Sequence, residues 1–215
     1  MSKLVVFGAG GKAGRAVVAE ATARGHQVTA VVRDPAKYTD LGGDRVTVVA
    51  GDVTDVSSVT GVAGGHDVAI SACYDQQADP GQFFPAAASA LLEGLPKAGV
   101  GRVLAIGLVS NLEVAPGLRM MDTPDFPEQF LGFAKGHTAG LEAFQNSGTS
   151  LDWLVVTPPM VLDEGARTGT YRTGGDQLLT KEDGTGHISY ADLAIALVDE
   201  AENPKHHSTR ISVAD

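Results

Sequence analysis

Cysteine is all but absent from this chain of 215 residues: Cys73 is the only one. No intrachain disulfide can form, and Cys73 reads as a small buried hydrophobe rather than a reactive thiol. Long apolar runs are missing too. Nothing approaches the ~20 residues of a membrane-spanning helix. The N-terminal "MSKLVVFGAGG" falls short of the roughly 7–15 apolar residues of a signal-peptide core. A cytoplasmic protein without a membrane partner is therefore expected. Positive charge is scarce, with 16 Lys and Arg against 26 Asp and Glu and a net charge of −10. Such a surface repels a phosphate backbone, so nucleic acid is not an expected partner, although a local basic site for a small anion remains compatible. No linker, repeat or low-complexity tract interrupts the chain. One domain over residues 1–215 is expected, and no metal site.

Glycine is plentiful: 27 of 215 residues, about 12.6%, against a usual ~7%. The glycines follow no overall period, which excludes collagen and suggests tight turns and close backbone approaches. Between them, short β-branched runs alternate with helical patterns. Strands are predicted at residues 3–7, 27–33, 45–52, 67–73, 101–107 and 151–159, with a last one near the C-terminus in "TRISVAD". Helices are predicted at about 13–25, 56–61, 83–97, 127–145 and 190–201. Continuous apolar strands alternating with helices imply an α/β fold, a doubly wound and mostly parallel sheet covered on both faces. Residues 108–125 read as a long irregular loop after the fifth strand, at the sheet edge where such folds bind ligands.

The segment "GAGGKAG" follows the first strand and opens the first helix. Gly8 suits a tight turn, Gly11 leaves backbone bare for a pyrophosphate, and Gly14 lets helix and strand pack closely. Gly10 is an additional glycine, and Lys12 and Ala13 begin the helix whose amides would face the anion. In a first strand-to-helix turn this pattern points to a dinucleotide. The second strand ends "VVRDP". Arg33 stands where an NAD-binding protein carries an acid, and a guanidinium suits a 2′-phosphate. Lys12 and Arg15 could add charge. NADPH is the expected cofactor, with NADH kept possible by Asp34. In "AGDVTD", Asp52 and Val53 could hold an adenine; alternatively Asp52 is an Asx-type cap for the next helix, a role that Asp55 could supply instead.

These residues resemble the atypical short-chain dehydrogenase/reductases. The branch indicated is that of the NAD(P)H-flavin reductases and biliverdin-reductase-B-like proteins, kin of the NmrA-like group. The marks run nearly the whole length: "GAGGKAGRAVVAEATARGHQVTAVVRDP", "GDVTD", "SNLEVAPG", "LDWLVVTPP", "RTGTYRTGGDQLL" and "ISYADLAIALVDEAENPKH". The resemblance implies a Rossmann fold with the cofactor along the carboxyl edge of the sheet. Ser71 and Ala72 would lie along it, Gly107 to Ser110 would border the nicotinamide, and Thr157, Pro158, Pro159 and Met160 would cover its other side.

One departure from the superfamily matters for chemistry. Classical members place a Tyr-x-x-x-Lys pair on the helix after the fifth strand, as proton donor. Here that helix reads "PEQFLGFAKGHTAGLEAF", with Phe133 and His137 at the same spacing and no tyrosine. His137 shares a face with Phe130, Phe133, Ala134, Leu141 and Phe144. It is a candidate proton donor or a core histidine, and Ser110 is a second catalytic candidate. Without a tyrosine acid, hydride transfer to an electron-sink ring is favoured over alcohol–ketone chemistry, the flavin being a substrate rather than a tightly bound group. Phe130, Phe133, Met120, Met121, Met160 and Trp153 are candidates to line its pocket. The expected function is an NADPH-dependent reductase of flavins, quinones or similar flat acceptors, acting as monomer or homodimer. The alternative is an NADP-binding redox sensor without turnover.

Overall fold

The computed structural model describes residues 1–215. Its frame follows from the apolar runs. Leu4 to Phe7 of strand β1 (Lys3–Phe7) are all at most 1% exposed. A strand buried on both faces needs helices on both faces, and the chain supplies them. After β1 come α1 (Lys12–Ala23), β2 (Gln27–Val32), β3 (Val46–Ala50), α2 (Val56–Ala63), β4 (Val68–Ser71), α3 (Pro80–Lys97) and β5 (Arg102–Ile106). A hairpin follows, β6 (Glu113–Ala115) and β7 (Leu118–Arg119), then α4 (Glu128–Gln145), β8 (Asp152–Thr157), β9 (Val161–Asp163), β10 (Arg172–Gly174), β11 (His187–Ser189), α5 (Tyr190–Glu202) and β12 (Thr209–Ala214).

The main sheet has eight strands in the order β10-β12-β8-β5-β4-β1-β2-β3, all parallel except the β10–β12 pair. From β1 the chain winds outward through β2 and β3, then crosses back to β4 and winds the other way. The reversal lies between β1 and β4, whose register pairs Leu4 with Val68 and Phe7 with Ser71. Reversals of this kind open a crevice at the carboxyl ends of the strands. One apolar core joins α1 and α5 to the sheet, around Leu4, Val6, Leu154 and Leu197. The other lies under α2, α3 and α4, around Val5, Phe7, Leu91 and Leu95.

Three departures from the sequence reading bear on the site, besides smaller shifts at other element ends and the unexpected short strands β9, β10 and β11. Helix α3 begins at Pro80, earlier than expected, because the Asp79 side chain accepts from the Gln82 amide and proline takes the first helical position, where its missing N–H costs nothing. Residues 108–125 are not one irregular loop. They hold two 3₁₀ turns, Val109–Asn111 and Met120–Asp122, and the β6–β7 hairpin, whose turn uses Gly117 at φ +74°. Strand β3 stops at Ala50, before the expected Asp52. No helix is long and apolar enough to cross a membrane.

Candidate cofactor and acceptor site

The glycine turn between β1 and α1 sorts its glycines by what a side chain would meet. Gly8 has φ +76°, and a Cβ there would run into the Ala72 carbonyl. A Cβ on Gly14 would collide with the Gly8 carbonyl oxygen, so this glycine sets the approach of helix to strand. A Cβ on Gly11 would touch only the Gly8 oxygen, at 3.5 Å, and would otherwise enter open space. Gly11 also caps α1 without a side-chain acceptor, and the first turn carries no acid. By contrast, Asp55, Asp79 and Ser189 cap α2, α3 and α5. The first amides of α1 are thus left for an anion, and the residues here fit the diphosphate of a dinucleotide.

This turn forms one wall of a cleft of about 1070 Å³ that runs across the β1–β4 reversal. Lys12, Ala13, Arg33, Asp52, Val53 and Ala72 line it, as do Gly8, Gly10 and Gly11. At the tip of β2 the Arg33 side chain is 66% exposed and pairs with Asp75 across the cleft. Lys37 lines the same end. Asp34, the acid that would suit a bare ribose, is engaged locally: it accepts from the Ala36 amide at 3.2 Å and lies 3.5 Å from the Lys37 ammonium. Asp52 closes its own turn, accepting from the Thr54 amide at 2.8 Å and hydroxyl at 2.7 Å, while Asp55 caps α2. Lys12 pairs with Glu164 at 3.2 Å on the exposed rim.

Arg15 does not add charge to the cleft. Its Nε donates to the Gly10 carbonyl at 3.1 Å, Nη1 to Asp40 at 2.6 Å, and its guanidinium lies 5.7 Å from the centre of the Tyr38 ring. Tyr38 in turn occupies the place a Gly10 side chain would need.

Beyond β4 and β5 the site changes character. Tyr74, Phe84, Phe133 and His137 form an aromatic cluster, with Tyr74 edge-on to Phe133 at 5.1 Å and Phe84 and His137 at 3.6 Å between centroids. Tyr74 also lines the large cleft, so the cluster continues it. Among these rings His137 has no hydrogen-bond partner, and burial pushes its pKa down to about 3. At neutral pH it is an uncharged imidazole with no imidazolium proton to give. Burial likewise pushes the Cys73 thiol up to about 12, which suits an unreactive residue.

Behind the cluster is a small cavity of about 60 Å³, lined in part by Ser71, Gly107, Asn111, His137 and Thr157. The Thr157 hydroxyl is buried without a partner, and so is that of Ser110. Ser110 itself does not line this cavity or the large cleft. Pro158 and Pro159 are buried, whereas Met160 is 62% exposed. Trp153 is not a pocket residue: it sits in mid-β8 opposite Val103 and packs on Phe144 at 5.8 Å. Met121 is also core, its sulfur 3.3 Å from the Thr138 hydroxyl, and Met120 lines neither space.

A family model described as NAD(P)H-binding matches residues 8–204, from the first glycine of the turn past the end of α5. The chain belongs to this NAD(P)H-binding family. Among its relatives is the uncharacterized protein YwnB of Bacillus subtilis, 35% identical, the alignment covering 98% of this chain and 97% of that one. A crystal structure from Bacteroides thetaiotaomicron, of a protein whose suggested role is that of an epimerase, is 36% identical with TM-score 0.90, covering 99% of this chain and 96% of that one. A Streptococcus pneumoniae structure, of a protein suggested to be an NADH-flavin reductase, is 34% identical with TM-score 0.86, covering 100% of each chain. Together these place the chain among the NAD(P)H-binding Rossmann oxidoreductases with flavin-reductase-like neighbours.

Within this family fold, the residues that sequence reasoning missed come mostly from the segment between β4 and α3. Tyr74 and Asp75 stand in "YDQQADPG", which reads as a polar turn; only the fold brings them to the cleft wall. Lys37 was readable, lying four residues past Arg33 at the end of the 3₁₀ turn Pro35–Lys37 that follows β2. Asn111 was not. It is 3% exposed, tied to the Thr138 hydroxyl at 2.8 Å, and its backbone carbonyl accepts from Arg210 at 2.8 Å.

Proposed function

We propose that this chain is an NADPH-dependent reductase that passes hydride to a flavin, quinone or similarly flat acceptor. The observation that carries the reading is the continuity of the cleft. A diphosphate cradle at Gly11 runs into an aromatic cluster at Tyr74, Phe84 and Phe133, with no charged acid among the rings. The α1 amides and Lys12 would hold the diphosphate, and Arg33 and Lys37 the 2′-phosphate. Asp52 and Val53 would border the adenine, and Ala72, Gly107 and Thr157 would position the nicotinamide ring. The proposed site also includes Ser71 and Met160 along the cofactor, with Pro158 and Pro159 shaping the turn that carries Met160. When bound, the reduced nicotinamide supplies two electrons and one proton as hydride.

The rings on α3 and α4 serve the acceptor by stacking and by excluding water from one face. Electron-sink rings need no positioned acid, because the second proton can come from solvent; orientation in van der Waals contact then supplies much of the rate enhancement. A neutral His137 fits that role as a wall rather than as an acid. Steady-state NADPH oxidation with FMN, riboflavin and a quinone, with and without the protein, tests the proposal. Acceptor-dependent rates proportional to protein concentration are expected. Rates no higher than the protein-free control with every acceptor would overturn it.

A further inference from the structure

Arg33 and Asp75 face each other across the end of the cleft formed by β2 and the β4–α3 segment, and both line it. The two partners are not equally held. Asp75 is 15% exposed in its side chain, and its Oδ1 accepts from the Gln77 amide at 3.0 Å, which fixes the carboxylate in its own turn. Its Oδ2 takes the Arg33 guanidinium. Arg33 projects from a strand tip with 66% of its side chain exposed, so it is the arm of the pair that is free to swing.

We propose that Asp75 latches Arg33 across the cleft and so sets how strongly the site prefers NADPH to NADH. The inference rests on the cofactor reading above. A 2′-phosphate must draw the guanidinium away from Asp75 before it gains its charge-assisted hydrogen bonds. Only the unlatched fraction of the protein meets NADPH with its arginine ready, so apparent affinity falls in proportion to that fraction. NADH has no such phosphate and leaves the latch closed. Asp75 therefore acts against one cofactor and not the other.

Asp75→Asn isolates the effect. It keeps an oxygen for the Gln77 amide and removes the charge that holds Arg33. Affinities for NADPH and NADH are measured by calorimetry in wild type, Asp75→Asn, Arg33→Ala and the double variant, with melting temperatures to confirm folding. Exposed ion pairs of this kind correspond to about a two- to fivefold change. NADPH is expected to bind tighter to Asp75→Asn by that factor, NADH to stay within about twofold, and the NADPH gain to vanish in the Arg33→Ala background. The gain also shrinks as salt screens the pair. Unchanged NADPH affinity in a folded Asp75→Asn variant would overturn the latch. So would an equal gain with and without Arg33, which would mean simple repulsion. A wild-type protein that binds neither dinucleotide would instead overturn the cofactor reading itself. Asp75→Ser, which also removes the charge, serves as the second variant if asparagine disturbs the turn.

Discussion

Gly11→Val separates a ligand-binding glycine from a structural one. The backbone at Gly11 has φ −76° and ψ 169°, a region open to every L-residue, so valine introduces no strain. Its Cβ would meet only the Gly8 oxygen, at an ordinary 3.5 Å. Giving up glycine at a helix N-cap costs up to about 1 kcal/mol. The stiffer unfolded chain returns about 0.4–1 kcal/mol. The net change in stability is close to zero, and the melting temperature should move by no more than roughly 2–4 °C. Binding behaves differently, because the isopropyl group fills the space in front of the α1 amides. Losing two charge-assisted hydrogen bonds to a diphosphate, at roughly 1.5–3 kcal/mol each, weakens NADPH about 10²- to 10⁴-fold. Calorimetric titration beside a thermal melt reads both quantities. Gly14→Ala is the control: its methyl would collide with the Gly8 carbonyl, so it should lose stability instead. A folded Gly11→Val protein with wild-type NADPH affinity would refute the diphosphate assignment.

Arg33→Ala should raise the NADPH dissociation constant about tenfold or more while NADH is little affected, since one charge-assisted phosphate contact is lost; equal affinity of the wild type for both cofactors would contradict the NADPH preference. His137→Ala should change flavin-linked turnover only a few-fold, whereas a general acid would typically contribute about 10²–10⁴-fold, and a loss of that size would make this site an acid–base site. His137 also shapes acid stability, because its pKa is about 3 in the fold against 6.5 normally. Between those values the unfolded chain binds a proton that the folded one does not, so the stability from a neutral His137 is present above about pH 6.5 and lost as pH falls. Denaturant titrations should show a shallower acid decline for His137→Leu than for wild type, and parallel curves would contradict the half-buried, neutral assignment.

The part of the site closest together in sequence was the most legible. Strand, glycine turn and helix lie within one short segment, and the roles of Gly8 and Gly14 follow from spacing and context alone. Gly10 shows the limit of that reasoning. What forbids its side chain is Tyr38, beyond β2, and Arg15 is taken by Asp40 in that same distant segment. Partners brought in by a crossover leave no mark on local spacing. Trp153 failed for another reason: an aromatic in a buried strand has the same pattern whether it faces core or ligand, and only the register opposite Val103 places it. The β6–β7 hairpin was invisible because strands of two or three residues carry too little alternation to read. The α3 start was legible in principle, since Asp79-Pro80 is a cap followed by a first-turn proline.

The central claim is hydride transfer, and anaerobic single-turnover mixing tests it most directly. Protein loaded with NADPH is mixed with excess flavin, and the nicotinamide and flavin absorbances are followed together. If the cleft works as a reductase site, one flavin is bleached for each NADPH consumed, at a rate that falls when the transferred hydrogen at the nicotinamide C4 is replaced by deuterium. NADPH that remains bound and reduced while the flavin keeps its colour would contradict the account and leave a dinucleotide-binding sensor in its place.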